Sequence, residues 1–570
     1  MQPSTGDRPL SQAFKKALPF VVFVFLAFAV LYPNPYGNNP DVIGDESYFL
    51  TSALTAIQHV SLPGWVWSPS TTYYGGIQTY ADTAALIPVL GIAVVFSHFS
   101  LTAAKVWAAL NTGLLLHVLR LVNGAAALGA ILFCFLFFGK RGIPRQLGLT
   151  LTLFFFFIVS DALVIQFLHT AKMWDFYIVF VSVTGAFFIV QEYYLRHLSR
   201  PFLERDHYVA LLVWSGVLTF FQSYVGAISI FVLMLYALFL RHIDVRDVWN
   251  YFKKVWYLIV LVAVTQISFL YQFYRISSQF SGVSTMTPTG TINWFDRFVA
   301  PLGFAIQGQP LVILYAIGIL AIIALALSGR SPLVERPRRR YLLIACIHPI
   351  LVYLIFYIGL GFDLLPRYGV ILTLACTFSA TILMSEIGAK AMKGALACAV
   401  MLFLLVGVHA IALYWKPSSE TVLLQTIEAT YDTSKNVFIT DHSARHLTLP
   451  VNVASLPLLD QQREDMGRFS FLLQNQDLLS QNVTFKPITA IAYTDQEESA
   501  DIALFATTTD SIWIISSDCS DLCSAAETNS GTCFEINTDA CALQPQEVNA
   551  LPVFLSSPQL GFSYIVRRVH

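Results

Sequence analysis

Charge is what this chain has least of. Asp, Glu, Lys and Arg make up 12% of its 570 residues, while 56% are hydrophobic. A soluble globular chain needs about a quarter of its residues charged to cover its surface, so a wholly soluble protein is excluded. The net charge is only −1; the placement of the charges carries the information, and no nucleic-acid partner is expected. A fixed-period internal repeat and a low-complexity tract are also lacking. So is a small-residue cleavage site after the first apolar run. Lys15 and Lys16 precede residues 17–33, but Asn34, Pro35 and Tyr36 follow. The run therefore reads as an uncleaved first helix, not as a signal peptide.

What the chain has in abundance is apolar runs of about 17–22 residues, each able to cross roughly 30 Å of hydrocarbon as a helix. The fold class is an all-α polytopic membrane protein. Basic residues orient it: Lys15 and Lys16, Lys140 and Arg141, Arg196 and Arg200, Arg241 and Arg246, Arg330 to Arg340, and Lys390 and Lys393 mark cytoplasmic ends. The spans are then 17–33, 119–138, 147–162, 175–192, 256–271, 311–328, 341–360, 368–386 and 394–414. Two more come from 209–240, which as one helix would measure about 48 Å and so folds as a hairpin turning near Gln222 and Ser223. The total is about eleven transmembrane helices. Two short crossings stop below the outer surface and leave a recess there. Residues 83–98, with Pro88, Gly91 and no basic flank, read as a helix lying in or dipping into the outer face, within a first outer loop at 34–118.

From Trp415 the composition changes. Residues 1–415 form the transmembrane domain. Residues 416–570 alternate short β-rich runs (437–440 and 512–515) with polar loops, as expected of a mixed α/β extracytoplasmic domain. The eight cysteines divide accordingly. Cys134, Cys346, Cys376 and Cys398 lie in apolar runs and read as inert core residues. Cys519, Cys523, Cys533 and Cys541 cluster in the tail and suggest two disulfides, with three possible connectivities. Their spacing fits no common structural zinc module. Asn482, Val483 and Thr484 form a glycosylation sequon, a weak three-residue match.

The chemistry-bearing residues sit in the outer loops. Asp45 and Glu46 follow the first apolar run, and acids at membrane depth are costly enough to be functional candidates; the plain alternative is a solvated loop. The first loop also offers Trp65, Trp67, Tyr73, Tyr74, Gln78, Tyr80 and Asp82, of which the aromatics also suit an interfacial belt. The second offers Asp161, His169, Lys172 and Asp175. Lys172 and Arg367 are basic residues on the outer side, against the orientation rule. Each suits a membrane-proximal phosphate, Arg through its fork of donors and Lys as a compact charge. Salt bridges to Asp175 and Asp363 are the structural alternatives.

The order of these features resembles the GT-C superfamily of integral membrane glycosyltransferases, in the branch of the protein O-mannosyltransferases and aminoarabinose transferases. The residues that carry the resemblance are the outer-loop pair Asp45-Glu46 followed by an aromatic, the interfacial apolar segment, Leu119-Arg120-Leu121-Val122-Asn123-Gly124 opening an inward span, the hairpin at 209–240, and Pro366-Arg367-Tyr368 before a late span. The likeness covers residues 17–414 and departs in the interfacial stretch, which lacks the usual paired prolines. It implies an enzyme that moves a sugar from a polyprenyl-phosphate carrier to a hydroxyl on a lipid, glycan or protein acceptor at the extracytoplasmic face. Asp45 is then the candidate base, with Glu46 orienting it or the acceptor and Asp161 a candidate second acid. Arg367, Tyr368, Lys172, His169, Tyr74 and Gln78 are the candidate substrate-binding residues. A divalent metal ion between carboxylates and phosphate is compatible with this chemistry but not required by the resemblance. A transporter, or a membrane transferase of another lipid-linked group, is the alternative; a transporter would favour broken midplane helices and internal symmetry.

Overall fold

The structure is a computed structural model that describes residues 46–63, 76–168, 171, 173–222, 226–271, 274, 312–327, 336–355, 369–407, 436–440, 478, 481, 511–516, 533–536 and 564–568. The first expected span, at 17–33, lies outside the described residues.

Apolar runs become helices because, away from water, the helix is the one open-ended structure that pairs its own backbone groups. In chain order the helices are α1 (Glu46–Gln58), α2 (Ile77–Phe96), α3 (Leu101–Leu110), α4 (Thr112–Lys140), α5 (Arg145–Val159), α6 (Ala162–Leu168) and α7 (Trp174–His197). They are followed by α8 (Arg205–Gln222), α9 (Ala227–Phe239), α10 (Val245–Thr265), α11 (Ile313–Leu327), α12 (Arg336–Tyr353), α13 (Gly369–Ile387) and α14 (Ala389–Leu402), which ends in a π-helical turn, Phe403–Gly407. Among the described residues, α2, most of α4, α7 and α13 are long and apolar enough to cross a membrane, and α5, α9 and α11 are shorter apolar helices. Together with large exposed apolar side chains such as Phe96, Leu261, Leu320 and Leu405, they make this an integral membrane protein.

Packing centres on α7 and α13. Helix α13 is buried along almost its whole length and packs against α5, α11, α12 and α14, while α7 packs against α4, α5, α8 and α9. Phe138, Phe154, Phe155, Phe188 and Phe378 fill the space between them. At its C-terminal end α7 is tied down by charge: Arg196 pairs with Glu192 at 3.0 Å and Glu386 at 2.6 Å, and Arg338 also reaches Glu386 at 2.8 Å. In α12, Pro349 has no N–H to give the preceding turn. One residue past the Ala345 carbonyl that this leaves without its helical donor, the Cys346 carbonyl accepts a hydrogen bond from the Tyr315 hydroxyl of α11 at 2.5 Å.

The expected hairpin is present. Helices α8 and α9 pack together, with the turn falling between Gln222 and Ala227. Their 18 and 13 residues measure roughly 27 and 20 Å, the second well short of the roughly 30 Å of a hydrocarbon core. The segment expected at 83–98 is longer than the sequence suggested. Helix α2 starts at Ile77, and its first turns bury Gln78, Thr79 and Asp82 while Ile87, Ile92, Val95 and Phe96 stay exposed. Of the four cysteines expected in the core, Cys134 and Cys376 are buried and Cys346 is half-buried, but Cys398 is exposed. Position 398 falls on the outer side of α14, whose buried positions are Met392, Ala395 and Ala399.

In the tail, both β-rich runs are strands: β1 (Asn436–Thr440) and β2 (Ser511–Ser516), joined by β3 (Cys533–Ile536) and β4 (Tyr564–Arg568) in one sheet of order β1-β2-β4-β3. The pairing of β1 with β2 is parallel, Phe438 opposite Trp513, and the other two are antiparallel. Cys533 opens β3; Cys519, Cys523 and Cys541 lie outside the described residues.

Candidate active site

Helix α1 begins at Glu46, and Glu46 decides where it sits. Its carboxylate is fully buried and accepts two hydrogen bonds from Arg120 on α4, Nε to Oε1 at 3.0 Å and Nη2 to Oε2 at 2.7 Å. The backbone N–H of Ala171, between α6 and α7, donates to Oε1 at 2.5 Å. A planar guanidinium meeting a carboxylate through two parallel bonds is the strongest form of this contact. It fastens the start of α1 to α4 and to the connection between α6 and α7.

The same face of α4 carries a second polar group. Asn123 lies three residues after Arg120, nearly one turn along, and flanks the carboxylate of Asp82 on α2 together with Gln78, which precedes Asp82 by four residues on the same helix. Asp175, in the first turn of α7 where the helix dipole favours an anion, lies within electrostatic reach of both Asp82 and Glu46. Asp82, Asp175 and Asn123 are fully buried; Asp82 has the amides of Asn123 and Gln78 beside it, whereas among the described residues the Asp175 carboxylate has no hydrogen-bond partner. Burying a carboxylate without partners costs several kcal/mol. Such groups persist in a membrane protein where function requires them.

Gln222, the last residue of α8, closes the cluster from below. Its Oε1 accepts from the backbone N–H of Gln78 at 2.8 Å, and its Nε2 donates to Gln78 Oε1 at 3.3 Å and to the Met173 carbonyl at 3.2 Å. Gly76 completes the packing: its N–H donates to Gln266 Oε1 at 2.8 Å, and a Cβ there would collide with Gln266 and the Phe269 ring.

The expected site residues fall into three groups. Glu46 and Gln78 are gathered into the cluster. Asp161 is buried at the N-terminus of α6, where its Oδ1 accepts from the Val164 N–H at 3.3 Å; this caps a helix end. Asp45, Tyr74, His169, Lys172, Arg367 and Tyr368 lie outside the described residues. In the sequence Asp82 and Asp175 read only as loop polars, Arg120 and Asn123 only as part of a resemblance, and Gln222 only as a turn. Among the described residues no group of three or more His, Cys, Asp or Glu side chains is arranged to hold a metal ion.

No family model matches the chain, and no curated protein matches it. Among solved structures it is similar to the apo oligosaccharyltransferase of Archaeoglobus fulgidus, with 12% identity and a TM-score of 0.45 over 88% of this chain and 70% of that one. It is also similar to ArnT of Cupriavidus metallidurans, crystallised with undecaprenyl phosphate, with 14% identity and a TM-score of 0.41 over 97% of this chain and 98% of that one.

Proposed function

We propose that the protein is a GT-C-type glycosyltransferase that moves a sugar from a polyprenyl-phosphate-linked donor to a hydroxyl acceptor on the extracytoplasmic face. The observation that carries this reading is the three-way contact of Arg120, Glu46 and Ala171. It joins the first outer loop to the second, and two groups of complementary chemistry flank it in the chain. Asp45 is one peptide bond from Glu46, and Lys172 is one peptide bond from Ala171. A carboxylate and a cation anchored in this way suit a reaction that takes a proton from a hydroxyl and leaves charge on a phosphate.

In the proposed mechanism the Asp45 carboxylate takes the proton of the acceptor hydroxyl as its oxygen attacks the anomeric carbon. The bond from that carbon to the phosphate oxygen breaks, and the lipid phosphate leaves with the electron pair, so the anomeric centre is inverted. Lys172 and Arg367 stabilise the charge that grows on the phosphate. Glu46, held by Arg120, positions Asp45. The topology that goes with this reading has about eleven spans, with loop 34–118 and residues 415–570 on the side where the sugar is transferred. The four tail cysteines pair as two disulfides on that side.

The test is transfer itself. Purified protein in lipid nanodiscs is incubated with labelled polyprenyl-phosphate sugars and a panel of hydroxyl acceptors, and the label is followed from lipid to acceptor. Transfer lost in Asp45→Asn supports the reading. Movement of the donor across a liposome membrane with no covalent transfer would overturn it in favour of a transporter.

A further inference from the structure

Helix α10 has no buried residue along its 21 positions, yet its two faces differ sharply in chemistry. One face is fastened to α8. Asp247 and Asp244 engage Arg205, Tyr251 accepts a hydrogen bond from Trp214 Nε1 at 3.0 Å, and Lys254 lies 4.0 Å from Asp206. Positions 247, 251 and 254 follow helical spacing and line a single stripe. Nearly opposite, Arg246, Trp249, Lys253 and Trp256 line a second stripe at the same spacing. All four are exposed, Trp249 by 56% and Trp256 by 54%.

The second stripe is built in layers. Trp249 stacks on Phe252 with centroids 6.0 Å apart and planes 9° from parallel, and the Lys253 ammonium stands 5.3 Å from the Trp249 ring centre. Among the described residues neither Arg246 nor Lys253 has an acidic partner; the nearby acids Asp206, Asp244 and Asp247 are engaged by Arg205 and Lys254 on the other face. After Lys254 the helix is apolar, and Leu258, Val260, Leu261 and Val264 are exposed. The stripe thus runs from two unneutralised cations, through tryptophan, to a surface that suits acyl chains. That is the order of chemistry met on crossing one leaflet from headgroup to tail.

We propose that the Arg246–Trp249–Lys253 face of α10 is a binding site for the phosphate headgroup of an anionic phospholipid. Arg246 supplies a fork of donors for phosphate oxygens and Lys253 a second charge, while Trp249 and Trp256 pack along the glycerol and upper acyl region. The lipid lies on the outside of the bundle at the end rich in basic residues, away from the Asp82–Asp175 cluster. It does not depend on the glycosyltransferase reading.

The experiment uses the full chain in nanodiscs of phosphatidylcholine alone or mixed with phosphatidylglycerol, with bound lipid read by native mass spectrometry. Wild type should retain phosphatidylglycerol in preference to phosphatidylcholine. Arg246→Gln with Lys253→Gln should weaken that retention about 30-fold, which corresponds to about 1 kcal/mol for each basic residue near an anionic surface. The swap Arg246→Lys with Lys253→Arg should keep most of it. Equal retention of the two lipids by wild type overturns the proposal without any variant. So does displacement of the lipid by inorganic phosphate, which would make this a free-phosphate site. Dimerisation through this face in phosphatidylcholine alone would assign it to a second copy and likewise overturn it.

Discussion

Arg120 holds Glu46 through both carboxylate oxygens, at 2.7 and 3.0 Å, and the Ala171 N–H shares one of them. Glu46 is completely buried and Arg120 partly so, so the pair is sensitive to loss of either partner. Removing one member of such a pair strands a charge and costs about 3–5 kcal/mol, whereas replacing both by apolar residues of similar volume is often neutral for stability. Arg120→Ala should therefore lower the melting temperature and abolish transfer. Glu46→Leu combined with Arg120→Leu should recover much of the melting temperature and little of the transfer. If transfer returned along with stability, the pair would be a fold element alone, without a role in positioning Asp45.

Asp45→Asn keeps the size of the side chain and removes its ability to take a proton. Turnover should fall by about 10² or more, the lower range for a positioned acid–base group, while donor binding survives. Glu46→Gln should lose less if the residue only orients. Donor binding and transfer are measured on the same folded preparations, and near-wild-type transfer by Asp45→Asn would remove the proposed base.

In the proposed mechanism Arg367 stabilises the charge on the leaving phosphate. Arg367→Ala should weaken use of the lipid-phosphate donor with expression unchanged, and Arg367→Lys should restore part of it, since charge is kept and the fork is lost. An unchanged donor affinity in Arg367→Ala would point to a structural bridge with Asp363 instead.

Single-cysteine labelling tests the topology. Positions in 139–146 and 387–393 should be labelled from the cytoplasm, and positions in 415–570 only from the opposite side. Non-reducing mass spectrometry should find Cys519, Cys523, Cys533 and Cys541 oxidised in pairs, and loss of one bridge should destabilise the tail by about 2–5 kcal/mol. Tail labelling from the cytoplasm would sink the active-site placement as well.

Gln222 offers a test of the floor of the cluster. Gln222→Leu removes three hydrogen bonds made by one side chain and leaves the Gln78 N–H without its acceptor. A stability loss of about 1–3 kcal/mol is expected for a buried donor left unsatisfied, read from the melting temperature. No change would mean that water replaces the amide.

Helix positions were legible in the sequence because lipid solvent leaves little choice: apolar length alone specifies a helix. The hairpin at 209–240 followed from a length that no single upright span can use, and the β-rich runs of the tail from their branched and aromatic residues. The site was less legible. Asp82 and Asp175 read as loop residues because each stands at the edge of an apolar run, where the boundary between loop and first helical turn is blurred by a few residues. Arg120 and Asn123 carried a usable signal, two polar groups three residues apart in an otherwise apolar helix, and so did Gln78 and Asp82 at a spacing of four. What the spacing alone does not say is which faces of two distant helices meet. That Cys398 points outward was likewise hidden, since a lipid-facing surface and a core favour the same residue types.

Proline in a helix ordinarily makes a joint, a place where the rod can flex about the turn whose bond is missing. In α12 the joint at Pro349 is pinned. The Tyr315 hydroxyl donates to the Cys346 carbonyl at 2.5 Å, one residue past the Ala345 carbonyl that the proline leaves without its helical donor, so bending α12 there means giving up a bond to α11. That bond ties α12 to α11 at the joint, and α13 packs against both. A Tyr315→Phe change would take out the pin and leave the proline in place. Hydrogen exchange around residues 345–349 should then quicken without any change in the resting structure, converting a beam into a hinge by the loss of one oxygen atom.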